Sequence, residues 1–254
     1  MNKSNFPDLN LSELSSNNQF LSYLNYRKLL KSAKKSRLDS DTWFILSCGP
    51  SLSQFENDKE FKDLLSVHPV VTIKQAGKIF EDYSNIHVFN EVRYEKEFNN
   101  IGNYRFSVSQ FQEKSSPNIH FPIRSYKLKR ALFCTNKYVE NELRSSYLRP
   151  WGVGILFELA IFLPLIFDCK RIVLVGVDMN KKGGYHFYDQ QDENKHSNSY
   201  NVDEFEFAYT KGTSHYMQYW LDSKGIELLN MSPLSDLPIK KVSTVSELKG
   251  IINA

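Results

Sequence analysis

The 254-residue chain has only three cysteines, Cys48, Cys134 and Cys169. They are odd in number and widely spaced, which excludes a disulfide framework and a zinc-ligand pattern and suits a reducing compartment. Long apolar runs are also missing. The most apolar stretch, residues 152–168, carries Glu158, is interrupted by Pro164 and falls short of the roughly 20 residues that cross a bilayer, so it predicts a buried core helix. The N-terminal MNKSNFPDLN has no apolar run behind its lysine, so it is not a secretory signal and a cytoplasmic location is expected. Charge of one sign is lacking as well: a net charge of +3 does not make the whole molecule a polyanion binder. No zinc-finger, ribonucleoprotein or helix-turn-helix pattern points to nucleic acid. Finally, there is no Gly-x-Ser-x-Gly elbow, P-loop, full dinucleotide fingerprint or HExxH, which removes the hydrolase, P-loop NTPase and zincin readings.

What is present is ordinary for a globular protein. Hydrophobic residues make up 41% and charged residues 24%, and the length allows one large core. The 18 Phe and 14 Tyr are expected mostly in the core, with some left to line walls. Residues 1–40 are polar, with one amphipathic stretch over about 18–33, and read as an N-terminal helical appendage. Within it, RKLLKSAKKSR at 27–37 concentrates basic residues with no acidic one. That is either a solvated helix face or a peripheral contact with an anionic membrane surface.

Residues 41–254 read as one α/β domain. Trp43–Leu46, Val70–Ile73, Ile86–Phe89, Arg171–Asp178 and Ile226–Leu229 are short apolar runs separated by polar, helical or looped segments. This alternation predicts a mainly parallel sheet with helices on both faces, of Rossmann-like type. Residues 104–138 show no clear period beyond a short extended piece at 119–121. The polar, Gly- and Asn-rich stretch within about 180–212 is long enough to be a lid. Helices are expected over about 213–223 and 245–252.

In such a sheet, ligands gather beyond the C-terminal ends of the strands. Gly49, Pro50 and Ser51 follow the first strand: Gly49 permits close backbone approach, Pro50 can start a helix, and Ser51 can cap one whose N-terminus attracts a phosphate. A purely structural strand-to-helix turn uses the same residues. Gln75 and Asn90 end the next two strands, and their amides can pair with a base or ribose or simply cap the strands. Asp178 closes the longest strand, either as a ligand for ribose or metal or as a turn cap. Gly183-Gly184-Tyr185 looks like a hinge with an aromatic lid. His186, His196 and His215 lie in or after that loop, and histidine is the readiest general base near neutral pH.

The order of these pieces resembles the bacterial lipooligosaccharide sialyltransferases of glycosyltransferase family 42, over about residues 44–233. Ser47-Cys48-Gly49-Pro50-Ser51-Leu52 is similar to the family's Gly-Asn-Gly-Pro-Ser-Leu, with Cys48 at the asparagine. Arg149-Pro150-Trp151-Gly152-Val153 looks like its Arg-x-x-Ser-Gly-Val, and Gly176-Val177-Asp178 like its Gly-Ile-Asp. The resemblance implies a CMP-linked nonulosonic acid as donor and a glycan or glycolipid hydroxyl as acceptor. It implies donor binding by Gly49, Pro50, Ser51, Gln75, Asn90, Gly152, Asp178 and Asn180, and acceptor binding by Arg149. His215 is implied as the base and Tyr185 as the group that steadies the departing phosphate. No cofactor and no metal are implied, and a homo-oligomer is compatible. A CMP-Kdo transferase, a pterin pyrophosphokinase-like enzyme and an inactive glycan-assembly scaffold are the alternatives.

Overall fold

The structure, a computed structural model, describes residues 38–89, 97–98, 100–109, 119–122, 156, 160–179, 211, 214, 217–219 and 221–254. Eight strands make one sheet: β1 (Thr42–Leu46), β2 (Val70–Ile73), β3 (Ile86–Phe89), β4 (Tyr104–Ser109), β5 (Ile119–Pro122), β6 (Arg171–Val175), β7 (Glu227–Asn230) and β8 (Lys240–Lys241). Every neighbouring pair is parallel, and the order is β5-β4-β3-β2-β1-β6-β7-β8. From β1 the chain therefore winds outward through β2 to β5, returns to the other flank of β1 for β6, and winds outward again. The winding reverses between β1 and β6, which makes that junction the topological switch point of the sheet.

The central strands form because their residues suit burial on both faces. TWFIL in β1 and VVTI in β2 are buried at every position, and such β-branched and aromatic runs fit the middle of a covered parallel sheet. Alternation then sends their side chains to two cores. Trp43, Ile45, Val71, Ile73, Ile172, Leu174 and Leu228 pack on one face with Leu163, Leu165, Met217 and Leu221. Phe44, Leu46, Val70, Val173, Val175 and Leu229 pack on the other with Phe61, Leu64 and Leu65 of α1 (Lys59–Val67) and Leu248 of α3 (Val245–Ile252). A short α2 (Ala76–Ile79) lies between β2 and β3. Among the described residues Trp43, Phe44, Phe61 and Phe80 are fully buried in these cores, and Phe89 and Phe98 in a third cluster with Ile101. Trp43 stacks on Phe167 at 4.9 Å, and Phe61 meets Phe44 and Phe80 edge-on.

Helix ends are set locally. The Asp58 side chain accepts from the Phe61 N–H at 3.0 Å at the start of α1. Thr244 accepts from the Glu247 N–H at 3.1 Å at the start of α3, and the Glu247 carboxylate accepts from the Ser243 N–H at 2.8 Å. This reciprocal arrangement belongs to the capping-box family.

Several expectations shift. The apolar stretch 152–168 ends not as continuous helix but as two 3-10 turns, Ala160–Phe162 and Pro164–Phe167. Pro164 supplies no N–H to carry a helix through, and Asp168 closes the segment in the left-handed region at φ 54. The strand expected to reach Asp178 stops at Val175, where Gly176 turns to φ 71. Strands β4 and β8 were not legible in the sequence. Residue 211 is already helical, two before the expected start. Leu38, assigned to the appendage, is buried in the first core. Residues 1–37, including the basic stretch, and all but Lys211 of the lid expected over about 180–212 lie outside the described residues. Among the described residues no helix is long and apolar enough to cross a membrane.

Candidate functional site at the switch point

All eight strands present their C-terminal ends at one edge, and at the switch point two loops interlock there. The Ser47 N–H donates to the Val175 carbonyl at 2.8 Å and the Gly49 N–H to the Gly176 carbonyl at 2.7 Å. The Ser51 N–H donates to Oδ2 of Asp178 at 2.9 Å. A Cβ on Gly49 would lie 2.5 Å from both Asp178 Oδ2 and the Gly176 oxygen, although Gly49 itself is extended at φ −67. The glycine is thus needed for close approach, not for its backbone angle. Gly176 answers it from the other side: its Cβ would lie 2.5 Å from the Ser47 oxygen, and its φ is +71.

This interlock changes the chemistry expected of the Gly49-Pro50-Ser51 loop. Its backbone donors are not offered to a phosphate. Gly49 is bonded to Gly176, Leu52 to the Gly49 carbonyl at 3.0 Å and Ser51 to Asp178, while Pro50 has no N–H. A carboxylate of the same chain already occupies the anion position at the start of the 3-10 helix Pro50–Phe55. Asp178 is accordingly a cap for a loop 127 residues away in sequence. Burial pushes its carboxyl above the usual range, and the Ser51 N–H and hydroxyl beside it pull in the opposite direction.

Two other polar atoms at this edge lack a well-formed hydrogen bond. Ser51 is fully buried, yet its Oγ makes no well-formed hydrogen bond; nor does the buried Oε1 of Gln75, at the end of β2. Buried polar atoms nearly always find partners; here Gln75 Oε1 has none and Ser51 Oγ has only the Asp178 carboxylate beside it. The backbone adds to this. Lys74 and Met179 both have positive φ, 46 and 51, a conformation that costs free energy in a non-glycine residue and gathers at functional sites. The Cys48 thiol donates to the Ile73 carbonyl at 3.1 Å, tying the end of β1 to that of β2.

The strand-end rule that points to Gln75 and Asp178 applies equally to the end of β7. There Asn230, Ser232 and Ser235 are all buried. Ser232 Oγ accepts from the Val177 N–H at 2.7 Å, and the Asn230 side chain bonds the Ser232 N–H and the Ser235 hydroxyl, both at 2.9 Å. The readable signal was Asn-Met-Ser-Pro-Leu-Ser-Asp directly after a predicted strand.

Of the other expected site residues, Asn90, Arg149, Gly152, Asn180, Tyr185 and His215 lie outside the described residues, as do His186 and His196. Ser214, next to His215 in sequence, is helical and buried, its hydroxyl bonded to the Lys211 carbonyl at 2.9 Å. The chain's Asp-x-Asp spacing, Asp39-Ser40-Asp41, stands before β1 at the opposite edge, where Asp41 pairs with Lys170 at 2.7 Å. Among the described residues no three His, Cys, Asp or Glu side chains gather as a metal-holding group.

No family model and no curated protein matches the chain. Among solved structures it is similar to the sialyltransferase CstII from Campylobacter jejuni, in complex with CMP-3FNeuAc, at 16% identity, over 81% of this chain and 87% of that one, with a TM-score of 0.46. It is also similar to the monofunctional alpha-2,3-sialyltransferase Cst-I from the same organism, at 14% identity, over 80% and 81% of the two chains, TM-score 0.46. The MAf glycosyltransferase from Magnetospirillum magneticum AMB-1 matches at 10% identity, over 84% of this chain but 36% of that one, TM-score 0.49.

Proposed function

We propose that the chain is a glycosyltransferase that moves a nonulosonic acid, such as a sialic acid, from a CMP-linked donor to a hydroxyl of a surface glycan. The observation that carries this reading is the pairing at the switch point. Gly49-Pro50-Ser51 and Gly176-Val177-Asp178, the two motifs with the strongest family resemblance, interlock there, with the Ser51 hydroxyl beside the Asp178 carboxylate and the unpartnered Gln75 Oε1 at the end of the adjacent strand. A hydroxyl and an amide oxygen suit the hydroxyls and exocyclic amine of a nucleoside. The Asp178 carboxylate, filling the anion position of the loop, disfavours a polyphosphate cradle there and so counts against a pyrophosphokinase-like enzyme.

In this reading His215 accepts the proton of the acceptor hydroxyl as its oxygen attacks the anomeric carbon. The bond to the CMP phosphate breaks in the same step, and the Tyr185 hydroxyl steadies the departing oxygen. One displacement inverts the anomeric centre and needs no cofactor and no metal. Arg149 holds the acceptor, and Asn90, Gly152 and Asn180 complete the donor site. The basic stretch 27–37 would keep the enzyme against an anionic membrane carrying a glycolipid acceptor.

The test is a transfer assay with CMP-sialic acid and CMP-Kdo, comparing wild type with His215→Ala. Loss of a general base lowers kcat by about 10²–10⁴-fold while donor affinity stays unchanged. An unchanged rate overturns the role of His215, and absence of transfer from either donor by the wild type overturns the reading.

A further inference from the structure

We propose that the turn after β7, Asn230 to Asp236, is a positioning clamp for the nucleotide loop, with Ser232 as its central residue. The relevant bonds run across three adjacent strands. Ser232 Oγ accepts from the Val177 N–H at 2.7 Å, Asn230 Nδ2 reaches the Val177 carbonyl at 3.5 Å, and the Asp236 N–H donates to the Asp178 carbonyl at 3.1 Å. Residues 177–178 are therefore gripped through their backbone by the β7 turn. Their other side grips the β1 loop: the Gly176 carbonyl holds Gly49 and the Asp178 carboxylate holds Ser51.

The clamp is itself braced. Asn230 Oδ1 accepts from the Ser232 N–H, Asn230 Nδ2 donates to Ser235 Oγ, and Ser235 Oγ accepts from the Leu237 N–H at 3.2 Å. These side chains are buried, where hydrogen bonds are strong and a lost partner is costly. The turn also touches the element that leads to His215, because the Asp236 carboxylate pairs with Lys211 at 3.0 Å. One turn thus contacts both the donor loop and the helical residue Lys211. A surface loop with no such task would have no reason to bury three polar side chains at the ligand edge of a sheet.

The purpose of the clamp rests on the proposed nucleotide site; its geometry does not. The test is accordingly run first without ligand, by hydrogen–deuterium exchange of the intact chain, comparing wild type with Ser232→Ala and with Leu228→Ala. The control removes a buried side chain from the same strand but none of the clamp's bonds. In Ser232→Ala the Gly49 and Ser51 amides, two strands away, exchange about fivefold faster, the factor that corresponds to one net hydrogen bond, while in Leu228→Ala they do not. Ser235→Ala, which removes only the brace, shifts them in the same direction and serves if Ser232→Ala does not fold. Unchanged exchange at Gly49 and Ser51, or equal acceleration in the control, overturns the clamp. A CMP titration of the wild type decides the nucleotide reading separately.

Discussion

Replacing Gly49 by alanine puts the interlock at the switch point to a quantitative test. The added methyl carbon would stand 2.5 Å from Asp178 Oδ2, 2.5 Å from the Gly176 oxygen and 2.9 Å from the Gly176 carbonyl carbon. Ordinary contacts are about 3.5 Å, so the two loops must part by roughly 1 Å. Because Gly49 is extended at φ −67, alanine meets no backbone strain, and the whole effect comes from that separation. Overpacking of this kind costs about 1–3 kcal/mol, and weakening the bond from Ser51 to the Asp178 carboxylate adds about 1.5–3 kcal/mol if it is lost outright. Partial relaxation leaves an expected loss of ~2–4 kcal/mol, a Tm lowered by ~5–15 °C in a domain of this size. Gly250→Ala is the control: it lies in α3 with nothing within 4 Å of its added carbon, and a helical Gly→Ala change gains about 0.5–1 kcal/mol. Thermal and urea unfolding of the two variants should move in opposite directions. A Gly49→Ala protein as stable as wild type would refute the close-approach argument.

Three further outcomes follow from the same geometry. Gln75→Ala removes a buried oxygen that has no partner, so the free protein is as stable as wild type or more so, while CMP affinity falls about 2–10-fold by calorimetry; a loss of stability with unchanged affinity would mean that Gln75 is structural. His87 is fully buried, bonded to Thr72 Oγ1 at 2.9 Å, and burial, then the charge of Arg105, holds its pKa down at about 3. The unfolded chain, with its histidine pKa near 6.5, therefore takes up the proton first. The stability contributed by this group is complete above pH 6.5 and falls below it by about 1.4 kcal/mol per pH unit; urea unfolding between pH 7 and 5 should show that slope and His87→Asn should reduce it, whereas a flat wild-type profile contradicts the assignment. Transfer activity should survive EDTA, and its loss on chelation would show that a metal takes part.

The fold was legible wherever burial leaves a plain pattern. Trp43–Leu46, Val70–Ile73, Ile86–Phe89 and the 171–175 run are apolar at nearly every position because both faces of the sheet are covered, and the structure has strands at all four. β4 escaped because YRFSVS lacks the continuous apolar run that marks the central strands, and β8 because two exposed lysines carry no hydrophobic signal at all. At the site, the sequence places Gly49, Ser51, Gln75 and Asp178 at strand ends but cannot say which of them face each other. The Asp178–Ser51 bond joins residues 127 positions apart, and only the parallel register of β1 with β6 creates it. The same holds for Ser232, whose partner Val177 sits 55 positions earlier. Polar residues that serve one another across strands look, in one dimension, like residues waiting for a ligand.

A calorimetric titration of the intact protein with CMP, UDP, GDP and ATP bears most directly on the central claim. Binding of CMP in preference to the other three, raising stability by about 2.7 kcal/mol at a hundredfold excess over Kd, is the predicted result. Preference for ATP, or no binding of any of the four, would contradict a CMP-sugar site at the junction of β1 and β6.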